Sequence, residues 1–350
     1  MNETLISSDK IYLLQTFSSI LVFIITFITA FGNILVIVAI LKTPKLRIRS
    51  NYLILSLSLT DLTVALVAMP WTSYLDIIHF SDWQWGPVYC DVYYFITAVC
   101  TSASVLHLMF VSIDRYLTVT SINYSTNNKK WYVIVMICFA WLFAVLVGLT
   151  PMLGWRDYNR FLIRIYDQKT CFSSLNIAYK TTSVIILFFV PVSVIIPLYC
   201  AIYKKSIEFR ANHKTIVKGS KVDIQELSTS SVVKTDLTDI SKTTYLMVIE
   251  DDGIKRVSIN GKDKVKQNKS IRREFRVAKT LAIITVCYVI CLLPVYMTLL
   301  VTVFKNDNQL PKLPFSLTLW LLLCNSGINP IIYAMFNINF RNAFKRLLKL

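Results

Sequence analysis

The sequence predicts an all-α membrane protein, a bundle of seven lipid-crossing helices. Three observations predict it: a composition suited to lipid, seven long apolar stretches, and basic residues gathered in alternate connections between them. Of the 350 residues, 55% are hydrophobic and only 16% charged, far from the balance of a water-soluble domain. Eight glycines and ten prolines are too few for a fibrous or low-complexity chain. The net charge of +17 raises a nucleic-acid reading. The basic residues, however, lie in short blocks between apolar stretches, which suits anionic lipid headgroups and cytoplasmic loops rather than a DNA-facing stripe.

The first apolar run, roughly Ile11–Leu41, follows a segment that carries Glu3 and Asp9 instead of a basic n-region. It is too long for the core of a signal peptide and reads as a signal anchor that stays in the membrane. Six further runs follow: Tyr52–Phe80, Val88–Thr120, Trp131–Leu153, Ile177–Tyr203, Val277–Phe304 and Phe315–Phe336. A crossing needs about 20 mostly apolar residues, so the longer runs imply tilt or helix that continues beyond the lipid. The third is the least uniform, because it contains His107 and ends in Asp114 and Arg115.

Orientation comes from the connections. The first carries Lys42, Lys45, Arg47 and Arg49 without an acid, which places it in the cytoplasm and the N-terminus outside. Alternation then puts Lys129, Lys130, the long 204–273 connection and the tail with Arg341, Lys345, Arg346 and Lys349 inside as well. The mildly basic 154–170 connection is the exception. The chain thus divides into an extracellular N-terminus (1–10), spans one to five (11–203), a largely disordered cytoplasmic loop (204–273), spans six and seven (274–336) and a short tail (337–350). Within the loop, Tyr245–Ile249 and Ile254–Ile259 flank Asp251-Asp252-Gly253, a β-hairpin pattern set against disorder throughout. Asn2-Glu3-Thr4 is a glycosylation sequon on the outer side, whereas those at Asn123 and Asn268 fall in cytoplasmic loops.

The eight cysteines divide by the same topology. Cys100, Cys138, Cys200, Cys287, Cys291 and Cys324 lie inside apolar spans, where a thiol packs as a small apolar group. Cys90 and Cys171 remain on the oxidising outer face and read as a disulfide.

Polar groups inside a lipid-crossing helix are costly and face the bundle interior. They recur at Asn33, Asp61, Ser104, His107, Asn325, Ser326 and Asn329. Asp61 is an acid deep in an apolar run and must be paired, protonated or bound to a cation. Such groups either hydrogen-bond helices to one another or hold a small hydrated cation such as sodium. Prolines stand at 70, 151, 191, 197, 294 and 330, each removing a backbone hydrogen bond and permitting a kink.

Gly32-Asn33, Leu59-Thr60-Asp61-Leu62, Asp114-Arg115-Tyr116, Trp141, Pro191 with Tyr199, and Asn329-Pro330-Ile331-Ile332-Tyr333 fall in order on successive spans. In this the chain resembles the rhodopsin-like G-protein-coupled receptors, over nearly its whole length except the insert and the first ten residues. The resemblance implies a short amphipathic eighth helix from Phe340, lying on the inner membrane face. It implies a switch in which Asp114 and Glu274 hold Arg115 closed, with Tyr116, Tyr199, Asn329, Pro330 and Tyr333 as further parts. Activation would then swing the sixth span about Pro294 and open a groove for a heterotrimeric G protein. It also implies a sodium ion as allosteric modulator at Asp61, Ser104, Asn325, Ser326 and Asn329, and a multi-pass place in the plasma membrane.

Within that family, Cys100–Leu108, Met69-Pro70-Trp71 and Trp83-Gln84-Trp85-Gly86 look most like receptors for biogenic amines. The long third cytoplasmic loop with a short tail resembles those that couple to inhibitory G proteins. Amine receptors, however, place an Asp eighteen residues before the Arg of the third span, to pair the ligand ammonium; here that position is Thr97. Loss of one partner of a buried charge pair costs about 3–5 kcal/mol, and a hydroxyl does not replace it. Leu292 and Leu323 stand where such receptors carry aromatic residues. The pocket is expected between Thr97, Thr101, Ser183, Tyr296 and Trp320, with Asp91 six residues earlier on another face of the helix and Asp76 near the top of the second span.

Other classes fit poorly. An opsin needs a lysine in the seventh span, and none occurs between Pro314 and Met335. A secondary transporter should show repeats, and the three histidines (His79, His107, His213) are scattered without a catalytic pattern. Two readings stay open: a receptor for an unidentified small ligand, and a receptor that signals without one or through a heteromeric partner.

Overall fold

Seven helices long and apolar enough to cross a membrane stand in the computed structural model: Ile20–Lys42, Asn51–Tyr74, Gly86–Thr120, Trp131–Leu149, Ile177–Glu208, Val277–Val301 and Leu317–Phe336. The structure describes the backbone of residues 2–77, 83–121, 131–157, 171, 175–227, 244–250, 253–259, 261–305 and 312–349. Side chains are described within 20–74, 83–121, 131–157, 171, 175–208, 275, 277–301, 303 and 317–349. The elements are α1 (Asn2–Lys42), α2 (Asn51–Thr63), α3 (Met69–Ile77), α4 (Gly86–Thr120), α5 (Trp131–Leu149), α6 (Ile177–Val184) and α7 (Val190–Leu227). They continue as β1 (Thr244–Glu250), β2 (Gly253–Ile259), α8 (Gly261–Lys305), α9 (Lys312–Phe336) and α10 (Ile338–Leu347).

Unlike a soluble bundle, the spans present large apolar side chains on their outer surface as well as in the core. Phe23, Phe27, Leu66, Leu142 and Ile290 point outward and are more than half exposed, while Asn33, Asp61, His107, Asp114 and Asn329 are buried. Lipid is as apolar as a protein core, so apolar side chains can face outward at no cost, while the polar groups that need partners are gathered inside among the packed apolar residues.

Two spans are interrupted by a π turn. Val64–Ala68 joins α2 to α3, and Ile185–Phe189 joins α6 to α7. Each ends two residues before a proline, Pro70 and Pro191 respectively. A proline ring clashes with the carbonyl four residues earlier, and a wider turn makes room for it. The fourth span stops at Leu149, short of the expected Leu153, because Pro151 cannot extend it; a turn follows, with Gly154 at φ +117.

The helices of spans five and six outrun their apolar stretches, to Leu227 and back to Gly261. Hydropathy marks where lipid ends, whereas a formed helix adds residues at little cost in water. Inside the 204–273 insert, expected to be largely disordered, β1 and β2 pair antiparallel with Leu246 opposite Val257 and Ile249 opposite Ile254. That is the register of the hairpin pattern around Asp251 and Asp252, which themselves lie outside the described residues. After the seventh span, Asn337 starts α10 by accepting from the Asn339 N–H at 3.1 Å. Phe340, Ala343 and Phe344 form the buried face of α10, and the Phe340 ring stacks on Tyr333 with centroids 5.1 Å apart.

Close approach between spans one and seven needs small residues on both sides. A side chain at Gly32 would meet Pro330 at 2.8 Å, and one at Gly327 would meet the Thr29 hydroxyl at 2.6 Å. Spans two, three and four are joined by a polar chain. The Trp141 indole donates to Ser56 at 3.0 Å, the Ser56 hydroxyl donates to His107 Nε2 at 2.8 Å, and His107 Nδ1 donates to the Ala103 carbonyl at 2.6 Å. The carbonyl can only accept, which sets the histidine tautomer.

Candidate functional site

The polar residues fall into three tiers along the bundle. Thr97 and Arg115 lie eighteen residues apart on α4, or about 27 Å at 1.5 Å per residue.

The outermost tier is a cavity of about 200 Å³. Thr97, Thr101, Ser183 and Tyr296 all line it, as the sequence predicts. Trp320 does not: it packs beside Val64, Met69, Cys100 and Leu323, and the seventh span contributes Leu319 and Leu322 instead. The Tyr296 ring lies 5.3 Å from that of Phe188, so its wall is braced from the fifth span. Several lining residues were missed from the sequence, Ser102 and Arg156 among them. Ser102 is wholly buried, and its hydroxyl has no partner among the described residues; the buried Thr97 hydroxyl has none either. Asp91 also reaches the cavity and faces Arg156 at 3.4 Å. The signal for this pair was present in the basic 154–170 connection, but only the tertiary structure puts the two together. Arg156 also bridges to Leu175 and donates to the Pro151 carbonyl at 2.9 Å. Cys171, four residues before Leu175 in sequence, is bonded to Cys90. The side chain of Asp76 lies outside those described.

The middle tier centres on Asp61. Asn329 donates to one carboxylate oxygen at 2.8 Å and Ser104 lies 3.5 Å from the other, with Ser326 a further hydrogen-bonding neighbour. Asn33 donates to the Thr29 and Ser326 carbonyls at 2.9 and 3.1 Å. The side-chain oxygens of Asn33 and Asn329 are buried acceptors without a donor among the described residues. A small chamber of about 10 Å³, lined by Ser104, Asn325, Ser326 and Tyr288, has room for about one water. Leu292 and Leu323 form its apolar side, and it shares Thr101 and Leu322 with the outer cavity. The Tyr288 hydroxyl is also buried without a partner among the described residues.

The inner tier is the Arg115–Asp114 ion pair at 3.1 Å, both side chains buried. The Tyr199 hydroxyl lies 3.3 Å from that of Ser112, one turn earlier on α4. Tyr116 beside them is half-buried, and Pro330 and Tyr333 occupy the inner half of the seventh span. The crevice beside Arg115, lined by Asn51, Val277 and Asn337 among others, has only about 10 Å³ of space among the described residues. The side chains of Glu274 and Asn2 lie outside those described.

Comparison with known proteins agrees with this layout. Residues 32–333 match the family described as 7 transmembrane receptor (rhodopsin family). Similar proteins include a 5-hydroxytryptamine receptor of Heliothis virescens, 29% identical over 91% of this chain and 81% of the relative. An octopamine receptor beta-2R of Chilo suppressalis is 29% identical over 93% and 78%. A D(1B) dopamine receptor of Xenopus laevis is 30% identical over 95% and 70%.

Proposed function

Because the chain belongs to the rhodopsin family of seven-transmembrane receptors, and so transduces an extracellular signal to heterotrimeric G proteins, we propose that its signal is a small ligand taken into the outer cavity without the usual amine–carboxylate pair. The observation that carries this is Thr97: it lines a cavity of about 200 Å³ at the position where an amine receptor needs its acid. The relatives bear the names of serotonin, octopamine and dopamine receptors, which supports a ligand of similar size.

The test is a panel of amines, lipids and peptides applied to cells expressing the receptor, with cAMP as readout. Any agonist found should lose at least about tenfold in potency in Ala98→Trp, since Ala98 lines the cavity and the indole fills it. High basal nucleotide exchange, with no agonist in the panel and no response to the filled cavity, would instead favour signalling without a ligand. For the class of G protein, the long 204–273 insert and short tail support the inhibitory one. An agonist should then lower forskolin-raised cAMP; a rise points to the stimulatory class. The loop charges support a plasma-membrane protein with its N-terminus and the Asn2 sequon outside, which an N-terminal epitope labelled on intact cells checks.

The middle tier supports a sodium ion as allosteric modulator at Asp61, Ser104, Asn325, Ser326 and Asn329. A buried carboxylate and amide oxygens without a donor suit a hard cation. Replacing potassium by sodium in receptor membranes should lower basal nucleotide exchange in the wild type and leave Asp61→Asn unchanged. Equal sodium responses in both would remove the assignment.

A further inference from the structure

The outer cavity balances its own charge, and we propose that it takes a small uncharged ligand, an apolar body ending in a hydroxyl or carbonyl group. The proposal rests on the small-ligand reading above and narrows it to a chemical class.

Among the described residues lining the cavity, the charged ones are Asp91 and Arg156, and they face each other at 3.4 Å. The Arg156 guanidinium also donates to the Pro151 carbonyl, so it is held in place from a second side. Neither sign is left over for a ligand to neutralise. An ammonium entering here would either stand unpaired among apolar walls or pull Asp91 from its partner, and both are costly. A carboxylate meets the same obstacle at Arg156.

What the walls leave unsatisfied is neutral. The Thr97 and Ser102 hydroxyls line the cavity, are buried, and have no hydrogen-bond partner among the described residues. A hydroxyl can donate and accept, and leaving it unpaired away from water is unfavourable. A ligand oxygen would satisfy them without bringing in charge. The cavity, at about 200 Å³, is below the roughly 300–1,000 Å³ of ordinary ligand pockets, which restricts the ligand to something of one small ring system.

Three probes share an indole ring and a two-carbon arm and differ in charge: tryptophol (neutral), tryptamine (cation) and indole-3-acetate (anion). Their affinities for the full-length receptor in lipid nanodiscs can be read by thermal-shift titration. Tryptophol should bind at least about tenfold tighter than either ion. Thr97→Val combined with Ser102→Ala should weaken tryptophol by about five- to tenfold, the loss of one net hydrogen bond. Thr97→Asp should reverse the order in favour of tryptamine.

A wild-type receptor that prefers either ion, does not discriminate, or binds no probe overturns the uncharged assignment. If Thr97→Asp nevertheless binds tryptamine, the small-ligand reading survives that failure. If neither receptor binds any probe, both fall.

Discussion

Asp114→Asn should raise agonist-free nucleotide exchange by about tenfold or more, and Arg115→Ala should abolish exchange altogether. Arg115 is buried near the C-terminal end of the third span with the Asp114 carboxylate 3.1 Å away. Breaking a buried ion pair by removing one partner costs about 3–5 kcal/mol, because a charge is left in a poor environment. We propose that the arrangement described, with only about 10 Å³ in the crevice beside Arg115, is the closed conformation, and that the penalty falls on it. In an open conformation the guanidinium reaches water or the G protein. Each 1.4 kcal/mol of differential destabilisation multiplies the open population about tenfold, and roughly 5.5 kcal/mol inverts a 1:99 balance. Even a third of the penalty is therefore visible. Binding of a slowly hydrolysed GTP analogue to receptor membranes, normalised to receptor amount, reads it directly. Unchanged or reduced basal exchange in Asp114→Asn would show that the pair does not hold the closed state.

The double variant Cys90→Ser/Cys171→Ser should lose most of its surface expression. The two cysteines are 81 residues apart in sequence, and a loop of that length corresponds to about 4.5 kcal/mol in a chain-entropy treatment. Lipid already confines the helices between them, so this is an upper bound. The local consequence is larger than the global one. Cys171 and Cys90 pack with Trp83 and Tyr93, and Cys171 anchors the chain leading to Leu175, which bridges to Arg156 at the mouth of the cavity. Without the bond the segment that carries Cys171 loses its covalent attachment to the third span. Surface labelling of an N-terminal epitope on intact cells should fall several-fold, and any receptor that reaches the surface should bind cavity ligands weakly. Wild-type surface amounts with full ligand affinity would mean that aromatic packing alone holds this end of the bundle.

Several parts of the site are legible in one dimension because lipid makes them so. A carboxylate at Asp61, amides at Asn33 and Asn329 and an arginine at the end of the third apolar run each break a long apolar pattern. Such breaks are unfavourable unless the groups meet inside the bundle. The structure brings Asp61 and Asn329 together at 2.8 Å across 268 residues of chain. Cys90 and Cys171 were legible for a related reason, since the order of the apolar runs puts them at the same end of the bundle, and the structure joins them.

Which way a side chain faces was a different matter. Counting about 100° per residue from Asn329 predicts Leu322, two turns earlier, on the inner side of the seventh span, yet Trp320 was expected in the cavity and packs beside Val64 and Met69 instead. Asp91 stands on another face from Thr97 by the same count and still reaches the cavity. A π turn such as Val64–Ala68 adds a residue to one turn and re-aims everything beyond it.

By itself, the sequence determined the seven crossings, the polar residues that had to meet between them, and the absence of an acid at Thr97. The strong preference of lipid for unbroken apolar helix writes those features into local pattern. Only the tertiary structure decided that Arg156 answers Asp91, that the Ser102 and Thr97 hydroxyls have no partner among the described residues, and that Trp320 turns away. Tilt, rotation and π turns set these facings, and they arise from packing between helices that are distant in the chain.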